Sequence, residues 1–304
     1  MNVVDGRADR ATPWHMRCTL HPDAPAFLEV SQGWLERDRV VNNVVATNVV
    51  MRLGGPLPGE DPPLLLTVTA PEGDLVGAAI RTPPRSLLLP DVPAEVALAI
   101  ADFVARMRTT GVPVAELPGV VGPVAGAEQF AARWSALTGT VSRVEMWQRA
   151  FRLDRVRPPV GVPGRFRLAT PSDLDLCFGW MGDFQHEALP GQHRTRRELT
   201  ARSIADGRMG LWEDGDRPVS MVGRSVPAFG VIRIGPVYTP PQLRGRGYGS
   251  AATAEISRRA LESGATACTL NTDLANPTSN AIYQRIGYYP VADAVSVLFD
   301  PPAT

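Results

Sequence analysis

The sequence predicts an α/β (α+β) protein built of two similar halves, and three observations lead to that prediction. Strand-like and helix-like segments alternate along 304 residues, which is the length of about two domains. The order of segments in the second half repeats the order found from Ala26 onward. A proline- and glycine-rich stretch, Arg155–Gly164, separates the halves and is typical of a linker. We therefore predict an arm (1–25), a first domain (26–154), this linker and a second domain (165–304).

Hydrophobic spacing predicts the elements of the first half. The stretch from Val40 to Leu53 fits a helix or a strand equally well. The remaining segments are helices at Ala26–Asp38, Pro93–Met107 and Ala127–Leu137, and strands at Leu64–Thr69, Leu75–Ile80, Arg85–Leu89, Pro113–Leu117 and Val141–Leu153. Gly139 follows the last of these helices and is a plausible end for it.

The second half gives the same order of elements. A helix start signal at Thr170–Asp173 follows the first strand. The predicted strands are Phe166–Ala169, Gly210–Trp212, Val219–Ser225, Arg233–Thr239, Ala265–Asn271 and Val295–Phe299. One predicted helix begins at Leu174, and the others are Thr195–Asp206, Ser250–Ser263 and Asn276–Ile286. The segment Phe184–Leu189 fits a second helix or a loop. Gly287 ends the last helix as Gly139 ends its counterpart.

Charge and cysteine content exclude several classes of protein. Lysine plus arginine and aspartate plus glutamate each number 31, so no charge excess favours nucleic acid or a membrane surface. The three cysteines, Cys18, Cys177 and Cys268, are far apart and offer neither a disulfide framework nor metal-ligand spacing. No apolar run reaches the length of a membrane span or a signal-peptide core. We expect a reduced, cytoplasmic protein that holds no metal.

One stretch of the second half carries chemistry. The strand Arg233–Thr239 runs into Pro240 and Pro241 and then into Gln-Leu-Arg-Gly-Arg-Gly-Tyr-Gly at 242–249, directly before a helical pattern. Alternate glycines let a ligand approach the backbone closely. The free N–H groups and positive dipole of a helix start form an anion site, and Arg244 and Arg246 add charge suited to phosphate.

Three phosphate-binding motifs compare with this loop. A Walker A loop requires a lysine, which the stretch lacks. A dinucleotide fingerprint requires a glycine at position 250, where Ser250 stands, and an earlier place in the fold. The third pattern, Gln/Arg-x-x-Gly-x-Gly/Ala, is matched by Gln242, Gly245 and Gly247.

With this loop, the second half resembles the GNAT superfamily of acyl-CoA-dependent N-acyltransferases from Gly164 to Asp300. The resemblance also rests on the strand that precedes the loop and on Asn276-Pro-Thr-Ser-Asn-Ala-Ile-Tyr283 running into Arg285-Ile-Gly-Tyr288. It implies that each half is a mixed, mostly antiparallel sheet flanked by helices. It also implies acetyl-CoA as the cosubstrate and a primary amine, on a small molecule, a peptide or a protein, as the acceptor.

The resemblance assigns roles to residues at the matching positions. The N–H groups from Arg244 to Ser250 would hold the coenzyme A pyrophosphate, and Val237–Thr239 would pair with the pantetheine arm and offer an oxyanion donor. Asn276 and Ser279 would contact the pantetheine arm, and Tyr283 would protonate the leaving thiolate. The coenzyme-binding set is Val237, Tyr238, Thr239, Arg244, Gly245, Arg246, Gly247, Tyr248, Gly249, Ser250, Asn276, Ser279 and Tyr283.

The acceptor side and the first half follow from the same resemblance. The segment Asp183–Leu189 would wall the acceptor pocket, and it contains His186 and Glu187, the adjacent candidates for a general base; Asp273 and His193 are weaker ones. The first half has Leu89-Pro-Asp-Val-Pro-Ala-Glu95 where the glycine loop would fall. We predict a degenerate GNAT-like domain there that shapes the acceptor pocket, and a homodimer only from family habit.

Plainer interpretations remain open for each of these residues. Arg244 and Arg246 fit a solvated surface pair, Tyr283 fits a core aromatic, and Asp183 with Glu187 fits an exposed acidic helix face. At the level of the whole protein, the alternatives to an N-acetyltransferase are a non-catalytic module that binds or senses acyl-CoA and a dinucleotide-binding protein.

Overall fold

A computed structural model describes residues 16–109, 116–188 and 196–301. In these residues the fold class is confirmed as α/β, with mixed sheets flanked by helices. The strands are β1 Arg17–Leu20, β2 Leu64–Thr69, β3 Leu75–Arg81, β4 Leu87–Leu88, β5 Gly119–Pro123, β6 Val141–Leu153, β7 Arg165–Leu168, β8 Met209–Asp214, β9 Arg217–Arg224, β10 Val231–Tyr238, β11 Ala267–Asp273 and β12 Tyr289–Asp300. The helices are α1 Ala24–Leu35, α2 Asn43–Val50, α3 Ala94–Thr109, α4 Val124–Thr138, α5 Leu174–Ala188, α6 Arg197–Ala205, α7 Tyr248–Glu262 and α8 Pro277–Arg285. None of these described helices is long and apolar enough to cross a membrane.

Both halves run through the same order of elements. Each has a strand, two helices, three strands, a helix, a strand, a helix and a final strand, from β1 to β6 and from β7 to β12. Pairing repeats as well: the first four strands of each half are antiparallel neighbours, and the fourth pairs in parallel with the fifth. The internal repeat read from the sequence is therefore present as a repeat of structure.

Two compact units divide the chain differently from the predicted ranges. The first unit extends to Gln148 and takes up the chain again from Ala292, and the second comprises Arg149–Val291. In the first unit β12 pairs with β5, and the Phe299 ring packs at a tilt against Phe130 and Trp134. In the second unit Phe151 and Leu153, at the end of β6, lie in the core. The C-terminal part of the last strand of each half thus belongs to the unit formed mainly by the other half.

Several predicted elements change in detail. The ambiguous stretch from Val40 is the helix α2, and the separate piece expected at Phe184–Leu189 is the continuous end of α5 up to Ala188. The strand expected at Pro113–Leu117 falls largely outside the described residues, and the strand β5 that follows it was missed. α7 begins two residues before the predicted Ser250. The shift of α7 lies at an element end, where local signals are weakest, whereas the missed strand β5 is a short element.

The second unit has two cores, one on each face of its sheet. On one face Ile232, Ile234 and Val222 pack with Ala252 and Ile256 of α7. On the other face Leu211, Met221 and Tyr238 pack with Cys177 of α5 and Ile204 of α6. Because strand residues alternate between faces, these cores fix which side chains of β10 point to α7 and which to α5.

Candidate active site

The strand β10 leaves its parallel neighbour halfway along its length. Val231, Ile232 and Arg233 pair with residues 267–269 of β11, and the pairing ends there. On its other edge β10 shifts register against β9 between Ile234 and Val237, which is a bulge that bends the strand. The β11 edge of Val237 and Tyr238 is thus left unpaired and offers backbone donors and acceptors to an added extended chain.

The glycine loop joins this free strand end to a helix that starts without a side-chain cap. Gly245 and Gly247 adopt left-handed conformations with φ of 79° and 83°, which glycine adopts without a Cβ penalty. Gly247 is the cap residue of α7, and its carbonyl accepts from Ala251 N at 2.9 Å. Within the described chain, the N–H groups of residues 248–250 donate no hydrogen bond, as the first turn of a helix leaves them free. Three aligned donors at a positive helix end suit an anion.

Close packing behind the loop fixes the helix start against the strand end. A Cβ on Gly249 would stand 3.2 Å from Thr239 Oγ1 and 3.6 Å from Val237 Cγ1, so the start of α7 packs closely against the end of β10. Ser220 Oγ donates to Tyr238 O at 3.0 Å and lies 2.9 Å from Thr239 Oγ1. Ser220, which sequence reasoning missed, therefore fixes the end of β10, and no local signal distinguishes it from any other strand serine.

The two loop arginines are engaged with protein groups. Arg244 donates from Nε to Thr239 O at 2.9 Å and pairs through a terminal nitrogen with Glu187 Oε2 at 2.5 Å. Its guanidinium carbon also lies 5.9 Å from the centre of the Tyr238 ring. Arg246 lies near the Tyr248 side chain. In this structure the unpaired donors of the anion site are the backbone N–H groups, and the two arginines lie next to them.

Tyr248 is anchored at the start of α7 by Asp214 at the end of β8. Its hydroxyl donates to Asp214 Oδ2, and its side chain is buried. The hydrogen bond to this carboxylate is the main cause that raises the pKa of Tyr248, because it favours the protonated phenol. Tyr248 thus fixes the first turn of α7 and is placed for packing.

The helix α5 brings acidic side chains to the same end of β10. Trp180 lies 6.1 Å from the ring of Tyr238, and burial, followed by the charges of Asp183 and Glu187, raises the pKa of Tyr238. Asp183 and Glu187 are four residues apart and therefore share a helix face. His186 is exposed and makes no hydrogen bond to the described chain. His193 and Leu189 lie outside the described residues.

The helix α8 places Tyr283 and its neighbours. Asn276 caps α8 by accepting from Ser279 N at 3.0 Å, so its side-chain oxygen is used within the protein. The Nδ2 atom of Asn280 donates to Asp273 O and Asn276 O, whereas its Oδ1 is buried without a partner among the described residues. An orphaned acceptor is costly, and Asn280 is a second residue that sequence reasoning missed.

Tyr283 is partly buried against the core that also holds α7. Its ring centre lies 6.5 Å from that of Phe151 and 6.1 Å from that of Tyr288. Burial raises the pKa of Tyr283 to about 12, because a phenolate would lose its hydration. The phenol therefore stays protonated at neutral pH.

The second unit is thus an α/β fold in which a helix start suited to an anion lies beside an unpaired strand end. Residues 176–288 match the sequence model of the Acetyltransferase (GNAT) family, and this part of the chain is a GNAT domain. Among curated proteins, no sequence matches the chain significantly.

Solved structures of GNAT proteins share the fold of the chain. A GCN5-related N-acetyltransferase from Sphaerobacter thermophilus is 18% identical, with a TM-score of 0.60 over 95% of this chain and 98% of its own. A tandem GNAT protein from the clavulanic acid biosynthesis pathway is 12% identical, with a TM-score of 0.57 over 95% and 99%. A GNAT-family acetyltransferase from Colwellia psychrerythraea is 11% identical, with a TM-score of 0.55 over 93% and 98%. At these identities the likeness concerns the fold.

Proposed function

We propose that this protein transfers an acetyl or short acyl group from coenzyme A to a primary amine by direct attack in a ternary complex. The observation that supports this most is the uncapped start of α7 at Gly247, which directly follows the unpaired end of β10. The free N–H groups at the start of α7 suit a pyrophosphate, and the adjacent edge of β10 suits an amide-containing arm. The family match of residues 176–288 favours coenzyme A as the molecule that carries both.

In this proposal the chain's own groups hold the donor and stabilise charge. The N–H groups of the α7 start bind the pyrophosphate, and the edge of Val237–Thr239 pairs with the pantetheine arm. Asn280 Oδ1, orphaned and buried, is the acceptor best suited to a pantetheine N–H. Asn276 and Ser279 shape the same turn. A backbone N–H at the strand end stabilises the oxyanion that forms when the amine attacks the thioester carbon.

Proton transfers complete the proposed reaction. The acceptor is an ammonium ion and must lose a proton before its nitrogen can attack. Glu187 and His186 on α5 are the candidate bases. After the C–N bond forms, the C–S bond breaks, and Tyr283 donates to the sulfur that takes the electron pair. The nitrogen loses a second proton as the amide forms, and the thiolate takes up one, so the ammonium and the thioester give the amide, the free thiol and one released proton.

The first unit is proposed to lack a donor site. Its counterpart of the glycine loop is the segment between β4 and α3, which holds no glycine and places Asp91 there. Asp91 N donates to Asn42 Oδ1 at 3.0 Å, and Glu95 lies in the first turn of α3. A negative charge at a helix start repels a phosphate. The degenerate GNAT-like origin of this unit and its role in shaping the acceptor pocket stay predictions.

Offering acetyl-CoA with a broad panel of amines is expected to give amine-dependent thiol release, with one coenzyme A bound per chain in calorimetry. Hydrolysis without amine supplies the blank. Coenzyme A binding without thiol release for any amine would instead indicate the binding or sensing module. Tighter binding of NAD than of coenzyme A would contradict both. Two bound coenzymes per chain would contradict the inactive first unit.

The pair of Arg244 and Glu187 links donor binding to the acceptor side. Arg244 is proposed to contact pyrophosphate, and Glu187 is proposed to accept a proton. In this structure, however, the two side chains form an ion pair with each other. Both roles are compatible if the incoming phosphate draws Arg244 away from Glu187. The exposed position of both side chains makes this exchange inexpensive. Glu187 would then become a free base only after the donor has bound.

Glu187→Gln is expected to lower turnover of the amine by about 10²-fold at pH 7. The deficit should shrink above the pKa of the amine, where the acceptor is already neutral. Asp183→Asn, one turn earlier on the same helix face, is the matched control and should show no such pH-dependent deficit. A Glu187→Gln variant that loses coenzyme affinity but shows no pH-dependent deficit would make Glu187 an anchor for Arg244 and leave His186 as the base.

A further inference from the structure

Arg233 is a charged residue placed where β10 begins to leave β11. It is the last β10 residue paired in parallel, opposite Thr269. Ile232 and Ile234, on either side of it, pack in the core against α7. Because neighbouring strand residues point to opposite faces, the Arg233 side chain is directed to the other face. Tyr238, beyond the bulge, packs on that face with residues of α5.

The guanidinium of Arg233 has no acidic partner in the described chain. Its backbone is fixed by Ser225, whose Oγ accepts from Arg233 N at 2.9 Å and whose N donates to Arg233 O at 2.8 Å. No ion pair and no side-chain hydrogen bond involve its guanidinium among the described residues. Burial alone lowers the pKa of Arg233 to about 10, and no neighbouring carboxylate offsets that effect.

A guanidinium in this position is costly to the fold unless something compensates it. Taking a charge out of water without a counter-ion is unfavourable. The residue is nevertheless not sealed, because part of its surface remains exposed. An unpaired arginine that is partly desolvated but still reachable matches the planar, bidentate recognition of carboxylate or phosphate groups.

The placement of Arg233 relative to the free strand end limits what binds it. Val237 lies four positions after Arg233, which is at most about 13 Å of extended chain. The anion site at the start of α7 lies on the face of Ile232 and Ile234, opposite to Arg233. A donor whose phosphates bind there would therefore lie on the face opposite to Arg233, whereas Arg233 shares its face with α5, which carries the candidate bases of the acceptor side.

We propose that Arg233 binds an anionic group, a carboxylate or a phosphate, on the amine acceptor and makes this enzyme selective for acidic amines. This inference rests on the proposed function, since it assumes that the acceptor amine reaches the free end of β10. It adds the chemical class of the acceptor, an amine with an anionic group a few bonds from its nitrogen. Selectivity arises because a neutral analogue leaves the desolvated guanidinium unpaired.

Thiol release should be compared for matched pairs of amines that differ in charge. Glycine, β-alanine and 4-aminobutanoate are paired with their amides, and phosphoethanolamine with ethanolamine. We expect the wild-type protein to prefer at least one anionic member by 10-fold or more in kcat/KM, about the value of one charged hydrogen bond. Arg233→Met should remove that preference and leave the neutral member unchanged, whereas Arg233→Lys should keep part of it.

Two further measurements separate this inference from its assumption. Coenzyme A affinity should be the same in Arg233→Met and wild type, and the variant should melt at an equal or higher temperature because an uncompensated charge is gone. Equal rates on anionic and neutral amines would overturn the inference and leave the transferase intact. If no amine gives thiol release, calorimetry of the anionic amines on the coenzyme-bound protein decides. Equal binding by both proteins, or none, overturns the inference.

Discussion

Gly247→Ala is expected to weaken coenzyme A binding by about 10- to 100-fold. The left-handed conformation of Gly247, with φ of 83°, costs an alanine about 1–2 kcal/mol. Relaxing that strain turns the following peptide and moves the N–H groups at the α7 start out of line. Each hydrogen bond lost from a charged phosphate is worth about 1.5–3 kcal/mol, and 1.4 kcal/mol is tenfold in affinity. Isothermal titration with coenzyme A measures the change.

A steric conflict adds to the backbone strain at this position. The new Cβ would stand 2.9 Å from Val162 Cγ2, in the stretch that precedes β7. Val162→Ala in the Gly247→Ala background removes the conflicting methyl but not the strain. We therefore expect the double variant to regain only part of the lost affinity.

Gly264→Ala is the matched control for the strain at Gly247. Gly264 follows α7 at its other end, also has a left-handed conformation with φ of 99°, and has open space around its Cβ position. Alanine there should lower the stability of the protein and leave coenzyme affinity unchanged. If both variants lost affinity equally, the effect would be global, and the start of α7 would not be the phosphate site.

Local sequence signals predict the half of the site that binds phosphate. The loop Gln242–Gly249 and the helix after it are contiguous in the chain, and left-handed glycines, a strand before and a helix after are visible in one stretch. The same holds for the predicted helix Asn276–Ile286, which is present as α8 with Asn276 as its N-cap. Features of this kind depend on neighbours within a few residues, so their position could be read before the fold was known.

Contacts between distant segments could not be predicted in this way. Ser220 reaches the end of β10 across a strand pair, and Glu187 meets Arg244 over 57 residues of sequence. Arg233 looked like an ordinary strand residue, because its missing counter-ion depends on every segment packed around it. The end of β12 joins the first unit because it pairs with β5. Nothing in the local pattern of β12 indicates this distant partner.

Tyr283→Phe is expected to lower turnover by about 10²–10⁴-fold with little change in coenzyme A affinity. The hydroxyl group makes no hydrogen bond within the described chain, so its loss removes a donor from the reaction and leaves the packing against Phe151 in place. Single-turnover thiol release on the coenzyme-bound protein measures the chemical step apart from binding.

Tyr288→Phe separates a reacting tyrosine from a structural one. The Tyr288 ring lies 6.1 Å from that of Tyr283, but its hydroxyl is 2.8 Å from Ser257 Oγ in the core. Removing it should cost about 1 kcal/mol of stability and leave the turnover of the folded protein unchanged. Equal turnover losses in both variants would mean that Tyr283 acts through packing.

The pH dependence distinguishes two ways in which Tyr283 can act on the sulfur. Its pKa of about 12 lies well above the value of about 8.5 for a thiol, so complete proton transfer to a free thiolate is uphill. Hydrogen-bond donation to the developing charge has no such cost, and the released thiolate then takes its proton from water. Because the raised pKa keeps the phenol neutral, this hydrogen bond persists below pH 10 and is lost only as the pH approaches 12. The stability that the protein gains by burying the neutral ring has the same pH dependence. The Tyr283→Phe deficit should therefore stay constant from pH 7 to 10. A wild-type alkaline limb near pH 9 that vanishes in the variant would instead show that Tyr283 titrates there and transfers its proton outright.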